Sequence, residues 1–259
     1  MKPTVYIAMP CHDSIQVETC VSLLDAFDVL RTEGIKARFK SVKSALVTLA
    51  RNTLTCGFLD SGFDYMLFID ADTEFAPDAV MKMLTPGKDI VCTPCRLREG
   101  DPKNVRYAVK FKKRTVALPG NLIEIDEGGA GMILIKRVVF ERLMDRHPEL
   151  KIKFNQPTRE RMNEEIGAME DAVARYMYNF WDTSFSLKTG VWKGEDLSFS
   201  KLATDAGFKI YANPDSWITH HGSWGWRGRF KDVLDMPKKD WEEIQSDDAK
   251  KNAEFGDNA

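Results

Sequence analysis

Residues 65–69, Tyr-Met-Leu-Phe-Ile, run directly into Asp70-Ala71-Asp72. An apolar run without polar alternation marks a strand buried on both faces, as in a parallel sheet covered by helices. Two carboxylates at its end repel each other unless a positive charge lies beside or between them. Ligands of open α/β sheets bind beyond the carboxyl ends of the strands. This stretch therefore asks for a layered α/β fold with a charged site at one sheet edge. The plainer reading is that one Asp caps the next turn and the other is solvated.

The neighbouring segments supply the layers. Residues 4–9 read as a buried strand broken by Pro10. Cys20, Leu23, Leu24, Phe27 and Leu30 follow i, i+3, i+4, i+7 spacing and predict one apolar helix face, ended at Gly34. Residues 36–42 fit a second strand. Leu46, Leu49, Ala50 and Leu54 mark a second helix stopping near Gly62. Residues 77–84 are a short helix with Pro at its start, and 89–92 a fourth strand. This alternation predicts a right-handed, doubly wound parallel sheet. Residues 105–111 and 122–125 then look like antiparallel strands joined by a basic turn. Residues 132–135 are another apolar strand, with a helix over 138–144. The 147–194 stretch is hardest to read, with helix over 163–178. A helix over 197–206 ends at Gly207, and 209–212 and 217–219 are short strands.

At 259 residues the chain is one large domain or two small ones, and 43% hydrophobic with 29% charged residues excludes a disordered chain or a collagen-like fibre. The net charge of -2 excludes a uniformly basic nucleic-acid binder. It hides a split: residues 88–114 carry nine basic and three acidic side chains, and 232–259 four basic and nine acidic. The N-terminal apolar run is too short for a leader or a span, and nothing approaches ~18 uninterrupted apolar residues. The expectation is a soluble, cytoplasmic protein without a transmembrane segment. Five cysteines do not suggest a disulfide framework. Cys92-Thr-Pro-Cys95 lacks a second CxxC or a nearby His pair to make a zinc site, so buried thiols at a strand end are favoured.

Two further features bear on chemistry. Gly194-Glu195-Asp196 opens a helix, where acids are stabilising in any case. Thr219-His220-His221-Gly222 ends a short strand, and adjacent residues of a strand face opposite sides, so one His at most reaches a given site. Together with the Asp pair they could close on one metal–phosphate site of oxygen ligands, with a carboxylate taking a proton from an attacking hydroxyl. All six Trp lie after residue 180. Trp181 and Trp217 suit the core. Trp224, beside Gly225, Trp226, Arg227 and Arg229, suits a loop over a diphosphate.

The order strand–Pro10, Ala50-Arg51-Asn52, Asp70-Ala71-Asp72, Gly128-Gly129-Ala130-Gly131, Glu195-Asp196 and His220-x-Gly222 resembles a GT-A fold nucleotide-sugar glycosyltransferase. It is similar in style to family-2-like enzymes of bacteria and bacteriophages, over roughly residues 4–226. The resemblance implies an α/β fold of GT-A type: a Rossmann-like mixed sheet, parallel in its N-terminal half, with antiparallel C-terminal additions. It implies one domain over 1–231, with a nucleotide-binding half (1–95) and an acceptor and metal half (96–231), followed by a polar helix and tail (232–259). Asp72 would bind Mn2+ or Mg2+ with the donor diphosphate, and Asp70 would face ribose or metal. His220 would be a further metal ligand, with His221 as fallback. Asp196 would be the general base of an inverting transfer. Glu195 would orient it or bond the acceptor. Pro10, Cys11, Arg51, Asn52 and Ala71 would line the donor pocket. Gly129 and Gly131 would let backbone approach the sugar, or simply make a turn. Trp224 and Arg227 or Arg229 would reach donor phosphate or acceptor. His12 and Asp13 would touch the base or cap the next helix.

The implied partners are a nucleotide-sugar donor, UDP-sugar first, and a glycan, protein or hydroxylated DNA base as acceptor. A lipid-linked acceptor needs a docking surface that the hydropathy does not show. Among rivals, a haloacid-dehalogenase-type phosphatase wants Thr or Val where Glu74 stands. A sugar nucleotidyltransferase wants a Gly-rich loop where Pro10-Cys11-His12-Asp13 stands. A non-catalytic sugar- or nucleotide-binding module would not need Asp72, Asp196 and His220 together.

Overall fold

The computed structural model describes residues 2–97, 106–111, 121–168, 171–222 and 225–234. Strand β1 (Val5–Cys11) carries Pro10 within it, where the expectation broke the strand before this residue. Near its end β1 pairs only with β2 (Ala37–Lys43), whereas its pairing with β3 (Tyr65–Ile69) stops at Ala8, so one ladder is enough to hold the proline. Between β1 and β2 runs α1 (Val17–Thr32), and between β2 and β3 runs α2 (Val47–Ser61), closed by Gly62 in the left-handed conformation. After β3 come β4 (Thr73–Phe75), α3 (Ala79–Leu84) and β5 (Ile90–Cys92).

The apolar face of α1 is rotated from the expected one. Thr19, Ser22, Leu23, Ala26 and Leu30 are buried, while Cys20 and Leu24 are exposed. Small residues let the helix lie close to the chain below it, and Ser22 Oγ accepts the Phe75 amide at 3.1 Å. Spacing cannot tell a large exposed apolar side chain from a small buried one.

The second half begins with β6 (Val109–Phe111), β7 (Ile123–Gly128), β8 (Met132–Lys136) and α4 (Arg137–Arg146). The eight-stranded sheet has the order β2-β1-β3-β8-β5, continued by β11 (Ile210–Ala212), β7 and β6. The parallel N-terminal half with antiparallel additions is therefore as expected. The run of four adjacent parallel strands is not: β8 lies between β3 and β5 and is antiparallel to both. Met-Ile-Leu-Ile at its start is apolar at every position, which suits a strand covered on both faces better than an edge.

The expected helix over 163–178 divides into α5 (Gln156–Ile166) and α6 (Ala172–Tyr176), because Gly167 adopts a left-handed φ of 67°. Both lie over α2, where Cys56 packs with Met162, Ile166, Val173 and Met177. A Cβ on Gly57 would stand 2.9 Å from Tyr6 Oη and 3.3 Å from Ile166 Cβ, so glycine permits this approach. This third layer explains why Ala50 to Leu59 are all buried.

The remaining elements are β9 (Ser184–Phe185), β10 (Trp192–Lys193), α7 (Glu195–Asp205), β12 (Trp217–His221), β13 (Gly225–Arg229) and α8 (Phe230–Leu234). Strands β9 and β10 form a hairpin of their own, and β13-β12-β4 a small antiparallel sheet. One side of the main sheet packs Val5, Ile7, Leu67 and Ile69 against α1 and α3. The other packs Tyr6, Ala8, Met66 and Phe68 against α2, α4 and α7. The pleat puts successive side chains on opposite faces. Trp181 is fully buried, stacked on Phe199 at 4.1 Å, and is core as expected. Among the described residues no helix is long and apolar enough to cross a membrane.

Candidate functional site

The parallel strands β1, β2 and β3 deliver their following loops to one edge of the sheet. There a cleft of about 460 Å³ is lined by Pro10 to Ser14, Gln16, Ser44, Ala45, Val47, Ala50, Arg51, Asp70 to Asp72, Glu195 and His220. The backbone fixes its walls. Gln16 N donates to Ala71 O at 2.9 Å, Ser44 N to Cys11 O at 2.9 Å, and Asp70 N to Gly131 O at 3.0 Å.

Arg51 is the hub. Its side chain is 3% exposed, yet Nη2 donates to Asp70 Oδ1 at 2.8 Å and Nε to Glu195 Oε1 at 3.2 Å. Its guanidinium also lies over the rings of Phe68 and Trp181. One buried cation therefore ties the acid after β3 to the acid opening α7, 144 residues away from it. Burial pulls the Arg51 pKa down, but Asp70, Glu195 and Asp196 outweigh it and hold the pKa above its usual value. This is the positive partner that the Asp pair demanded. Arg51 sits inside a helix whose neighbours are otherwise buried, and an arginine there must find carboxylates; that was the available sequence signal.

Asp72 is one position beyond this pair. The pairing of β12 with β4 places His220 opposite Thr73 and brings His220 Nε2 to 3.6 Å from Asp72 Oδ1. The next residue turns the other way, and His221 Nε2 lies 3.1 Å from Glu74 Oε2. The two histidines separate, one on the cleft and one behind it. Asp196 does not line the cleft; it stands toward Gly129, its Oδ1 accepting the Leu197 amide at 2.7 Å. Burial raises the Asp196 carboxyl above the usual range, and the Glu195 charge adds to the rise. Burial likewise raises Asp70, opposed by Arg51 and assisted by Asp72 and Glu195. Asp70, Asp72, Glu195 and Asp196 thus lie in one electrostatic field around the Arg51 guanidinium, and carboxylate oxygens gathered in this way are the donors a hard divalent cation takes.

The cluster passes a chemical test for Mn2+ or Mg2+ in part of its shell. Asp72 offers the carboxylate oxygen that both ions prefer, and phosphate oxygens complete such sites, whereas the His220 imidazole nitrogen is a donor that softer divalent ions favour. Among the described residues no group of three or more His, Cys, Asp or Glu is arranged to hold a metal by itself.

Several expected site residues lie elsewhere. Asn52 faces away from the cleft: Nδ2 donates to Asn179 Oδ1 at 2.9 Å, and Oδ1 accepts the Trp181 amide at 3.1 Å. Position 52 is next to 51 on a helix and so points to a different side. Arg227 does not line the cleft either; it donates to Glu74 and Thr219 and lies 4.3 Å from the Trp217 ring centroid. Arg229 pairs with Asp232 at 2.7 Å. Gly129 and Gly131 are not cleft-lining. A Cβ on Gly131 would meet Cys95 Sγ at 2.6 Å, one on Gly128 would meet Cys92 Sγ at 2.6 Å, and one on Gly129 would meet Ala108 at 2.9 Å. At these positions the absent side chains make room for neighbouring protein atoms. Burial raises the Cys92 thiol to about 12 and Cys95 well above its usual value, as buried thiols require. His12 and Asp13 reach the cleft and do not cap α1, whose N-cap is Gln16. Ser14, Gln16 and Ser44 are cleft residues that motif reading missed, because short loops carry no periodicity, and Val47, the first residue of α2, was missed with them. Trp224, Lys112, Lys113 and the acidic stretch after Leu234 lie outside the described residues.

No family model matches the chain, and no curated protein sequence is similar to it. Solved structures of similar architecture include A197 from STIV, 18% identical over 86% of each chain with a TM-score of 0.46. A glycosyltransferase involved in the glycosylation of the major capsid of PBCV-1 is 11% identical, over 57% of this chain and 68% of that one, with a TM-score of 0.32. A putative glucose-1-phosphate thymidylyltransferase from Bacillus anthracis is 11% identical, over 78% of this chain and 95% of that one, with a TM-score of 0.33. Glycosyltransferases and nucleotidyltransferases thus both occur among the structural neighbours, and the likeness is one of architecture.

Proposed function

We propose that the protein is a metal-dependent glycosyltransferase that moves a sugar from a nucleotide-sugar donor to an acceptor hydroxyl. The observation that carries this reading is the Arg51 hub, which gathers Asp70, Glu195 and Asp196 beside the Asp72–His220 pair at the carboxyl edge of the sheet. The base and ribose of the donor, a UDP-sugar first, occupy the cleft between residues 10–14 and 44–47. Asp72 and His220 hold Mn2+ or Mg2+, which supplies neutralising charge for the departing diphosphate. Asp70, fixed by Arg51, faces the ribose side. Asp196, with its raised pKa, accepts the proton of the acceptor hydroxyl, and Glu195 keeps its neighbour oriented. The acceptor oxygen forms the new bond to the anomeric carbon from the face opposite the leaving group. The old bond breaks with its electron pair going to the nucleoside diphosphate oxygen, so configuration inverts. Residues 1–95 form the nucleotide half, and 96–231 bring the base and the second metal ligand. Glycan, protein and hydroxylated DNA base remain the acceptor classes, and the basic 88–114 segment suits the anionic ones.

The test is incubation with Mn2+ and UDP-, GDP- and TDP-sugars, with mass spectrometry of donor and acceptor. Donor hydrolysis or transfer that drops about a hundredfold or more in both Asp72→Ala and Asp196→Ala agrees with these roles. Rates within a few-fold of wild type in both variants refute them. Binding without turnover points to a binding module.

A further inference from the structure

The β9–β10 hairpin is out of keeping with the rest of the surface. Phe185, Leu187, Val191 and Trp192 are 60%, 93%, 51% and 62% exposed, four large apolar side chains within eight residues. Phe185 and Trp192 are directly paired across the hairpin, so their side chains share one face. The turn is well made: Ser186 N donates to Val191 O at 2.9 Å, and Gly190 supplies a left-handed φ of 68°. The base is anchored. Ser184 Oγ lies 2.9 Å from Ser198 Oγ on α7, and Lys193 bonds Glu127. A two-stranded hairpin is marginal in water without a covered apolar face, and this one holds its apolar face outward.

Charge indicates what covers it. Residues 183–193 contain two lysines and no acid, and Lys188 stands exposed beside Leu187 at the tip. Another exposed apolar stripe among the described residues, Val17, Val21 and Leu24 on α1, is interleaved with Glu18, Asp25 and Asp28. A protruding apolar tip with an aromatic shoulder and one exposed lysine, Lys193 being held by Glu127 at the base, matches an interface in which hydrocarbon lies below a negatively charged headgroup layer. Sites for small molecules are instead concave. We infer that the β9–β10 hairpin docks the protein onto an anionic lipid bilayer, with Leu187, Phe185 and Trp192 entering the interface and Lys188 meeting lipid phosphate. The hairpin leads without a spacer into Gly194, Glu195 and Asp196, so a bilayer held there lies next to the proton acceptor. On the transferase reading, and resting on it, the acceptor hydroxyl is carried at a membrane surface, as in a lipid-linked glycan. The docking itself does not depend on that reading.

The test is co-sedimentation of the full chain with phosphatidylcholine vesicles with and without phosphatidylglycerol, alongside Trp fluorescence. The expected result is binding to the anionic vesicles with a blue shift. It weakens about tenfold or more in Leu187→Asp, the size of one lost buried leucine, weakens in Lys188→Glu, and is unchanged in the Val21→Ser/Leu24→Ser control. These positions are exposed, so the variants fold, which circular dichroism verifies. Wild-type protein that stays in the supernatant with anionic vesicles overturns the inference, as does a Leu187→Asp variant that sediments like wild type. A concentration-dependent dimer lost in Leu187→Asp, without vesicle binding, assigns the surface to a second copy and overturns it too. Asp72→Ala keeps full vesicle binding, so loss of the transferase reading and loss of the docking reading are told apart.

Discussion

Two acid–cation clusters flank the Asp70-Ala71-Asp72 turn, and they differ in depth. Arg51 is 3% exposed and holds Asp70 and Glu195 from α2. Arg227 is 58% exposed and holds Glu74, with His221, from the small sheet. The buried cluster joins distant elements around Asp70, Glu195 and Asp196, whereas the outer one fastens β4 to β12 and so aims His220 at Asp72. A buried ion pair is costly to break because the remaining charge is stranded. An exposed pair contributes little.

The comparison breaks first if Arg51 is dispensable. Arg51→Ala is expected to lose about 3–5 kcal/mol in urea unfolding, the cost of stranding a buried partner. Arg51→Lys recovers only part of it, because one ammonium cannot reproduce the fork. Next comes Asp196→Asn, expected to lower transfer about 10²–10⁴-fold while raising Tm at neutral pH. The sign follows from the raised carboxyl pKa: the native state holds that proton more tightly than the unfolded chain. The destabilisation is absent below the unfolded pKa and complete above the native one, so the gain in Tm vanishes in acid. Gly131→Ala is expected to cost about 1–3 kcal/mol by overpacking. Its Cβ would meet Cys95 Sγ, and Cys95→Ala in the same chain should restore most of the loss in a double-mutant cycle. Smallest is Arg227→Ala, expected to change stability by about 0.2–1 kcal/mol with donor affinity little altered. A tenfold or greater rise in donor KM there would bring Arg227 back to the donor and erase the distinction between the clusters.

Much of the layer order was legible in the chain. The apolar run over 65–69 is buried at every position, and Glu195 and Asp196 open a helix as read. The errors cluster where side-chain size or strand order decides. Leu24 fits a helical apolar spacing yet points outward, because Ala26 and Ser22 allow a closer approach on the other side. Asn52 follows Arg51 in the motif but turns to the 179–181 segment. The 147–194 stretch was opaque because α5 and α6 cover a helix and not the sheet, so their apolar residues answer a partner that periodicity does not announce.

The local pieces are written in the order of residues: strands by runs and alternation, helix ends by glycine, and acids at a strand end and a helix start. These depend on neighbours within a few residues, where backbone geometry sets the period. How the charges pair is set by the assembled fold. The insertion of β8 between β3 and β5 puts the glycine turn against Asp70, and Gly131 O accepts the Asp70 amide. The β4–β12 register gives His220 to Asp72 and His221 to Glu74. Arg51 meets Glu195 across 144 residues. Ion pairing depends on distance and burial in space, and no local pattern encodes either.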